Sequence, residues 1–282
     1  MKDISDKRVN ISLDNPSITF DKNKCDECSI CKNICKFNVG VYGFSKDDYP
    51  CINCGSCTLA CPNKCLSEKD ETDKLEEYLH SNKVIVMQTA PAVRVSLGEE
   101  FGMKLGTNVE GKMITALRTI GADYVFDTTF GADLTVMEEA SELVNRIKTS
   151  KNLPMFTSCC PSWVKFCEMF YPEYLDNLST CKSPISMMGS VINNYFCKIN
   201  NLKREDIISI VIVPCTSKKM EILRYNDIDL AITTRELAKY LKKEKELITQ
   251  YENKYGPLTL SSPIQTNTWL WDNSPWPWEV QK

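Results

Sequence analysis

"IISIVIVPC", residues 207 to 215, is an almost unbroken apolar run that stops on a proline and a cysteine. A β-branched run this short, bounded by proline, predicts a buried strand rather than a helix. The same texture recurs from Lys83 onward. "KVIVMQTAP" and "ADYVFDTTFG" read as further strands, "LPMFTSCC" as another, and "DLAITT" as a strand running into a helix capped by Thr233 or Thr234. Between them lie helical patterns, "VEGKMITALRTIG", "DLTVMEEASELVNRIKTS" and "SPISMMGSVINNYF", the second with apolar Leu134, Met137, Leu143, Val144 and Ile147. Strand and helix in alternation predict a parallel sheet with helices on both faces.

Function in such sheets gathers beyond the carboxyl ends of the strands. Three of those ends carry unusual residues: Ala90-Pro91, Cys159-Cys160-Pro161 and Pro214-Cys215. Each proline lacks an N–H, so it stops the ladder and turns the chain over the rim. If the strands are neighbours, Cys160 and Cys215 project into one crevice and can share a cluster.

Nearer the start, a different chemistry is written twice. Cys25, Cys28, Cys31 and Cys35, then Cys51, Cys54, Cys57 and Cys61, both follow C-x2-C-x2-C-x3-C. Short spacings of this kind wrap a loop around one iron-sulfur cube, while the fourth cysteine is aimed at the cube of the other repeat. Cys25, Cys28, Cys31 and Cys61 are therefore assigned to one 4Fe–4S cluster, and Cys35, Cys51, Cys54 and Cys57 to a second. Zinc also takes four thiolates, but its usual sets are paired knuckles rather than doubled four-cysteine runs. Cys65 reads as a small buried hydrophobe, as do Cys167, Cys181 and Cys197.

The 282 residues, 43% of them hydrophobic, can bury a sizeable core in one or two domains. A net charge of -3, from 34 basic and 37 acidic residues without long one-sign blocks, argues against nucleic acid and anionic membranes as partners. No stretch reaches bilayer-spanning length, and the start lacks an apolar signal region, so the expectation is a cytoplasmic protein, with an organelle as the other option. Fifteen cysteines, most at ligand spacing, suit a reducing, oxygen-poor compartment rather than a disulfide framework. The single histidine, His80, reads as a surface residue.

Residues 18–68 resemble the bacterial two-cluster ferredoxins, although Lys36 follows Cys35 where a proline is common; Cys61 keeps its Pro62. "TSCCPSW" (157–163) and "VPCTSKKME" (213–221) resemble two of three signature motifs of the FeFe hydrogenases, and "TAPAVRVSLGEEFG", "FGADLTVMEE" and "TTRELAKYLKK" also look like that family. The resemblance implies an α+β ferredoxin-like domain over 18–68, then an α/β domain with a mainly parallel sheet over 83–248. It implies a third 4Fe–4S cluster joined to a di-iron unit, with Cys160 and Cys215 as cube ligands and Cys159 passing protons. Glu139, Ser179 and Glu142 would carry the proton outward; otherwise the two glutamates are a solvated helix face, since i and i+3 adjoin. Lys218 would donate to a cyanide, with Lys219 an ordinary surface lysine, and Ala90, Pro91 and Glu221 would line the site. Val213 stands where the family usually has methionine.

The third motif, with two further cube-ligating cysteines, is not found, and residues 249–282 read as an off-family tail. The expectation is an incomplete hydrogenase whose isolated chain is inactive, exchanging electrons with a ferredoxin-type carrier and acting on hydrogen and protons. Three other readings stay open: an electron-transfer protein with only the front clusters, a relative of iron-sulfur assembly factors, and a split enzyme whose second chain supplies the missing ligands.

Overall fold

The computed structural model describes residues 6–41 and 50–244; the 249–282 tail lies outside the described residues. In the front part, β1 (Ile18–Phe20) pairs antiparallel with β2 (Leu66–Glu68), Ile18 opposite Glu68. Two short helices lie between them, α1 (Ile30–Asn33) and α2 (Ser56–Ala60). The doubled cysteine run shows in the backbone as well as the sequence. Glu27 and Ser29 in the first loop, and Asn53 and Gly55 in the second, all take left-handed φ between 56° and 78°. Winding a loop tightly around a centre needs such residues between consecutive cysteines. The small core is Val9, Ile18 and Leu66 packed with Cys31, Cys57, Cys61 and Cys65.

A linking helix, α3 (Thr72–Leu79), leads to the larger part. Its sheet runs β4 (Tyr124–Asp127), β3 (Val84–Thr89), β5 (Ile207–Val213), β6 (Leu230–Thr233), all parallel. All seven residues of β5 are buried. That is the physical reason for its unbroken apolar sequence, since helices cover both faces of a parallel sheet. On one face Met87, Ile210 and Ile232 meet Leu97 of α4 (Val93–Glu100), Leu117 of α5 (Glu110–Thr119) and Leu237 of α10 (Thr234–Lys243). On the other, Val86 and Phe126 meet Phe130 of α6 (Thr129–Thr149) and Met188 of α8 (Pro184–Val191). Full burial of each such side chain contributes about 1.5–3 kcal/mol. Two further helices matter for the site, α7 (Pro161–Phe170) and α9 (Lys218–Tyr225).

Registers bring the carboxyl ends to one rim: Thr89 lies opposite both Asp127 and Ile212, and Val213 opposite Thr233. Thr233, the first of the two expected caps, closes α10 in a reciprocal box with Glu236. Gly131 lets α6 approach α8, because a Cβ there would stand 2.3 Å from the Pro184 carbonyl.

Two expectations need correction. "LPMFTSCC" is not a strand of the sheet: Phe156 forms an isolated bridge to Leu178, and its N–H and C=O are taken by Asn177 and Ser179. Those bonds satisfy the segment away from the sheet, and Cys159 and Cys160 lie exposed. Pro161 therefore does not end a ladder; it opens α7 at its first turn, where a missing N–H costs nothing. The helix α6 forms as expected, but Met137, Leu143, Val144 and Ile147 are exposed, and its buried side is Phe130, Gly131, Thr135 and Arg146.

Candidate metal centres and rim site

Cys35, Cys51, Cys54 and Cys57 line one pocket, walled by Val9, Ile11, Ile18, Val39 and Ile52. Burial pushes the Cys51 and Cys57 thiols up, the latter helped by Cys51, Cys54 and Cys35 close by. Crowded thiols in an apolar wall favour the thiolate only when a cation accepts their charge. Backbone and side chains already point donors at the ligand positions: Asn53 N–H lies 3.3 Å and Asn15 Nδ2 3.5 Å from Cys51 Sγ. Among the described residues no three His, Cys, Asp or Glu side chains close on a single-ion site. The four cysteines share the lining of one apolar pocket, a donor set whose chemistry suits iron-sulfur ligation.

Cys25 and Cys28 lie near Cys31, whose thiol burial raises. Cys61 Sγ is 3.1 Å from Cys65 Sγ, and Cys65 also neighbours Cys25. Burial first, then the Cys61 contact, pushes Cys65 up to about 12. Although burial works the other way, backbone donation from Leu66 and the Cys65 contact hold Cys61 below its usual value. Cys65 is thus buried as expected, but it is a thiol in contact with an assigned ligand rather than plain packing.

At the rim, Cys160 caps α7 and Cys215 follows β5, its Sγ 2.9 Å from Ser217 Oγ. Lys218 joins the two loops. Its ammonium donates to the Cys159 carbonyl at 2.8 Å, to Ser183 Oγ at 3.2 Å and to Glu221 Oε2 at 2.5 Å. All three of its protons are engaged. Glu221 is buried and also accepts from Ser183 and, at 3.0 Å, Ser186. Ala90 and Pro91 follow β3 at the same rim, Ala90 N–H donating to the Ile212 carbonyl at 2.9 Å. A cavity of about 210 Å³ opens here, lined by Ser158, Pro161, Ser179, Cys181, Ser183 and Glu221.

Behind the cavity, Glu142 accepts from Ser179 Oγ at 3.2 Å and Thr180 N–H at 3.0 Å, and pairs with Arg146 at 2.5 Å. Burial pulls its carboxyl up, but Arg146 and Thr180 outweigh it and hold it low. Glu139 Oε1 is buried with no hydrogen-bond partner among the described residues. Burial, then Glu139 and Glu138, raises the Cys181 thiol beside it.

Several sequence expectations about side chains can be compared with their positions here. Lys219 is not a surface lysine: it is 4% exposed and pairs with Glu236 at 2.6 Å. A flanking position beside Lys218 gave no hint that the helix turns it into the interior. His80 is exposed, and Cys167 and Cys197 are buried, as the sequence suggested. Asn53 and Lys165, which meet at 2.9 Å between the front pocket and α7, escaped the sequence reading, for nothing but contact marks them.

The sequence profile of the iron-only hydrogenase large subunit, C-terminal domain, matches residues 83–268. The chain belongs to this hydrogenase family. Iron hydrogenase 1 of Clostridium pasteurianum is 42% identical over 265 residues, covering 85% of this chain and 46% of the relative. A solved apo FeFe-hydrogenase HydA1 from Chlamydomonas reinhardtii, in a variant form, superposes with TM-score 0.61 at 34% identity, over 64% of this chain and 49% of that one. Cytosolic iron-sulfur assembly component 3 of Rattus norvegicus is 28% identical over 224 residues, 72% of this chain and 47% of that protein. This iron-hydrogenase chain spans somewhat under half the length of the curated relatives it matches. Among the described residues, no helix is long and apolar enough to cross a membrane.

Proposed function

We propose that the chain is an iron-sulfur oxidoreductase of the FeFe-hydrogenase type, interconverting protons and hydrogen with electrons from a ferredoxin-type carrier. Cys25, Cys28, Cys31 and Cys61 would hold one 4Fe–4S cluster, and Cys35, Cys51, Cys54 and Cys57 another, in a ferredoxin-like front domain over 18–68. Cys160 and Cys215 would hold two corners of a third cube; when bound, its di-iron partner supplies the open metal site for hydrogen. The observation that carries the reading is the Lys218 bridge, which ties the Cys159 carbonyl to the helix that follows Cys215.

Around that bridge, the chain's own residues have distinct work. Cys159, which is exposed, would take or give a proton at the reacting face. Glu139, with its unpaired Oε1, would receive it, and Ser179 would pass it to Glu142 at 3.2 Å. The low proton affinity of Glu142 suits a group that releases rather than stores a proton. Lys218 puts a desolvated positive charge where anionic ligands of the metal would lie, exchanging one of its three present partners to do so. Glu221, Ala90 and Pro91 shape the pocket.

The similarity to the iron-sulfur assembly component favours a second reading, in which the chain handles clusters without hydrogen chemistry. The exposed Cys159 argues for the first, since an assembly role gives a proton-passing thiol no task. Anaerobic reconstitution, iron counting and a hydrogen-evolution assay with reduced ferredoxin separate them. About eight irons per chain are expected from the front clusters alone. We expect the isolated chain to evolve little or no hydrogen, with turnover appearing once a second polypeptide supplies two further cysteine ligands. Fewer irons than two cubes need would refute the front-cluster assignment; robust turnover by the isolated chain would refute the missing-ligand expectation.

A further inference from the structure

Three segments that carry assigned ligands meet at one residue, Asn53. It lies between Cys51 and Cys54, is fully buried, and is held on the front side by Nδ2 donation to Asn15 Oδ1 at 3.1 Å and Ser17 Oγ at 3.3 Å. Its own Oδ1 accepts from Lys165 Nζ at 2.9 Å, and Lys165 sits on α7, the helix capped by Cys160. Its carbonyl accepts from Thr216 Oγ1 at 3.4 Å, directly after Cys215. Gly55 completes the contact: with φ 78°, a Cβ there would stand 2.4 Å from Thr216 Oγ1. A side chain there would meet the Thr216 hydroxyl, which would have to turn away from its present place.

The ammonium of Lys165 is therefore fixed between the front pocket and the rim, with little freedom to swing away. Asn53 stands two residues after Cys51 and one before Cys54, so the Lys165 ammonium lies against that ligand loop. We propose that Lys165, aimed by Asn53, is a positioning residue that sets the reduction potential of the cluster held by Cys35, Cys51, Cys54 and Cys57. A fixed positive charge beside a cage favours the state that carries one more electron, and it does so strongly where water is excluded. The electron comes from a one-electron carrier of the ferredoxin class. No bond forms or breaks. Lys165 meets Asn53 between Cys51 and Cys54, two of this cluster's assigned ligands, so the effect falls on that cluster. The inference rests on the front-cluster assignment made under Proposed function.

Redox potentiometry of the whole reconstituted chain, followed by EPR, tests it without reference to turnover. In K165Q, one of the two front midpoints should move to a more negative potential while the other stays. K165R, which keeps the charge, should leave both close to the wild-type values. Asn53→Asp is a second route, because it neutralises the ammonium without removing it, and should lower the same midpoint. Unchanged midpoints in both K165Q and N53D overturn the inference, as does an equal shift of both clusters, or a K165R shift as large as that of K165Q. If K165Q loses iron, N53D alone decides in the same way. A wild-type chain binding fewer than two clusters would instead refute the underlying assignment.

Discussion

Lys219 shows how a single residue can be misjudged from its neighbours and then decide stability. Its ammonium and the Glu236 carboxylate are each about 3% exposed, and Glu236 also accepts from Glu71 N–H at 2.7 Å and Thr233 N–H at 2.8 Å. Lys219→Ala leaves that carboxylate buried without its counter-charge. Urea unfolding should show a loss of about 3–5 kcal/mol; a loss below about 1 kcal/mol would mean the site fills with water. Replacing both partners by apolar residues should not restore full stability, because Glu236 also caps α10. Asp70 behaves differently, at the edge of solvent. Partial burial pulls its carboxyl up, but the Lys239 ammonium and the Thr72 hydrogen bonds win and hold it at about 2, against an ordinary 3.8. Its contribution is complete above the unfolded value and is lost as pH falls through the folded one. Between about pH 4 and pH 2 the wild type should lose up to about 1 kcal/mol that Asp70→Asn does not, readable as the difference between their urea midpoints at each pH.

Among the elements, those legible in the sequence were the ones whose pattern and surroundings agree. The apolar run of β5 is buried on both faces, and "TTRELAKYLKK" carries its cap and its period together. "LPMFTSCC" misled because an apolar stretch says nothing about which backbone will pair with it, and here Asn177 and Ser179 do. The apolar stripe of α6 is a true helical period whose later half faces away from the sheet; periodicity gives the face but not its cover. Met137→Glu with Val144→Glu, at positions 48% and 50% exposed, should change stability by no more than about 0.5 kcal/mol. A loss of several kcal/mol in thermal unfolding would show that this face is packed in solution.

For the whole molecule, the cysteine spacing suggests the two proposed front cages, but not how the loops that would hold them are oriented toward the rim. That depends on contacts between residues far apart in the chain, which no local pattern contains. Asn53, Gly55 and Thr216 make one such attachment. Another is electrostatic: Arg235, Lys239 and Lys243 on α10 pair with Glu68, Asp70 and Glu76, running from β2 into α3. Each exposed pair is worth about 0.2–1 kcal/mol and weakens in salt. The triple variant R235Q/K239Q/K243Q should be cut faster by protease near residues 69–82, while the sheet core keeps its thermal midpoint within a few degrees; equal cutting of variant and wild type would show that Asn53 and its neighbours hold the parts together unaided.

If Cys61 holds a corner of the first cage as proposed, its contact with the Cys65 thiol would give that cage a weak point. While iron occupies Cys61, its neighbour is a bystander. Once the metal departs in air, the pair stands ready to be oxidised into a bridge that removes a corner of the cage. Refilling an aerated preparation would then demand a reducing agent as well as iron and sulfide, and Cys65→Ala should abolish that demand.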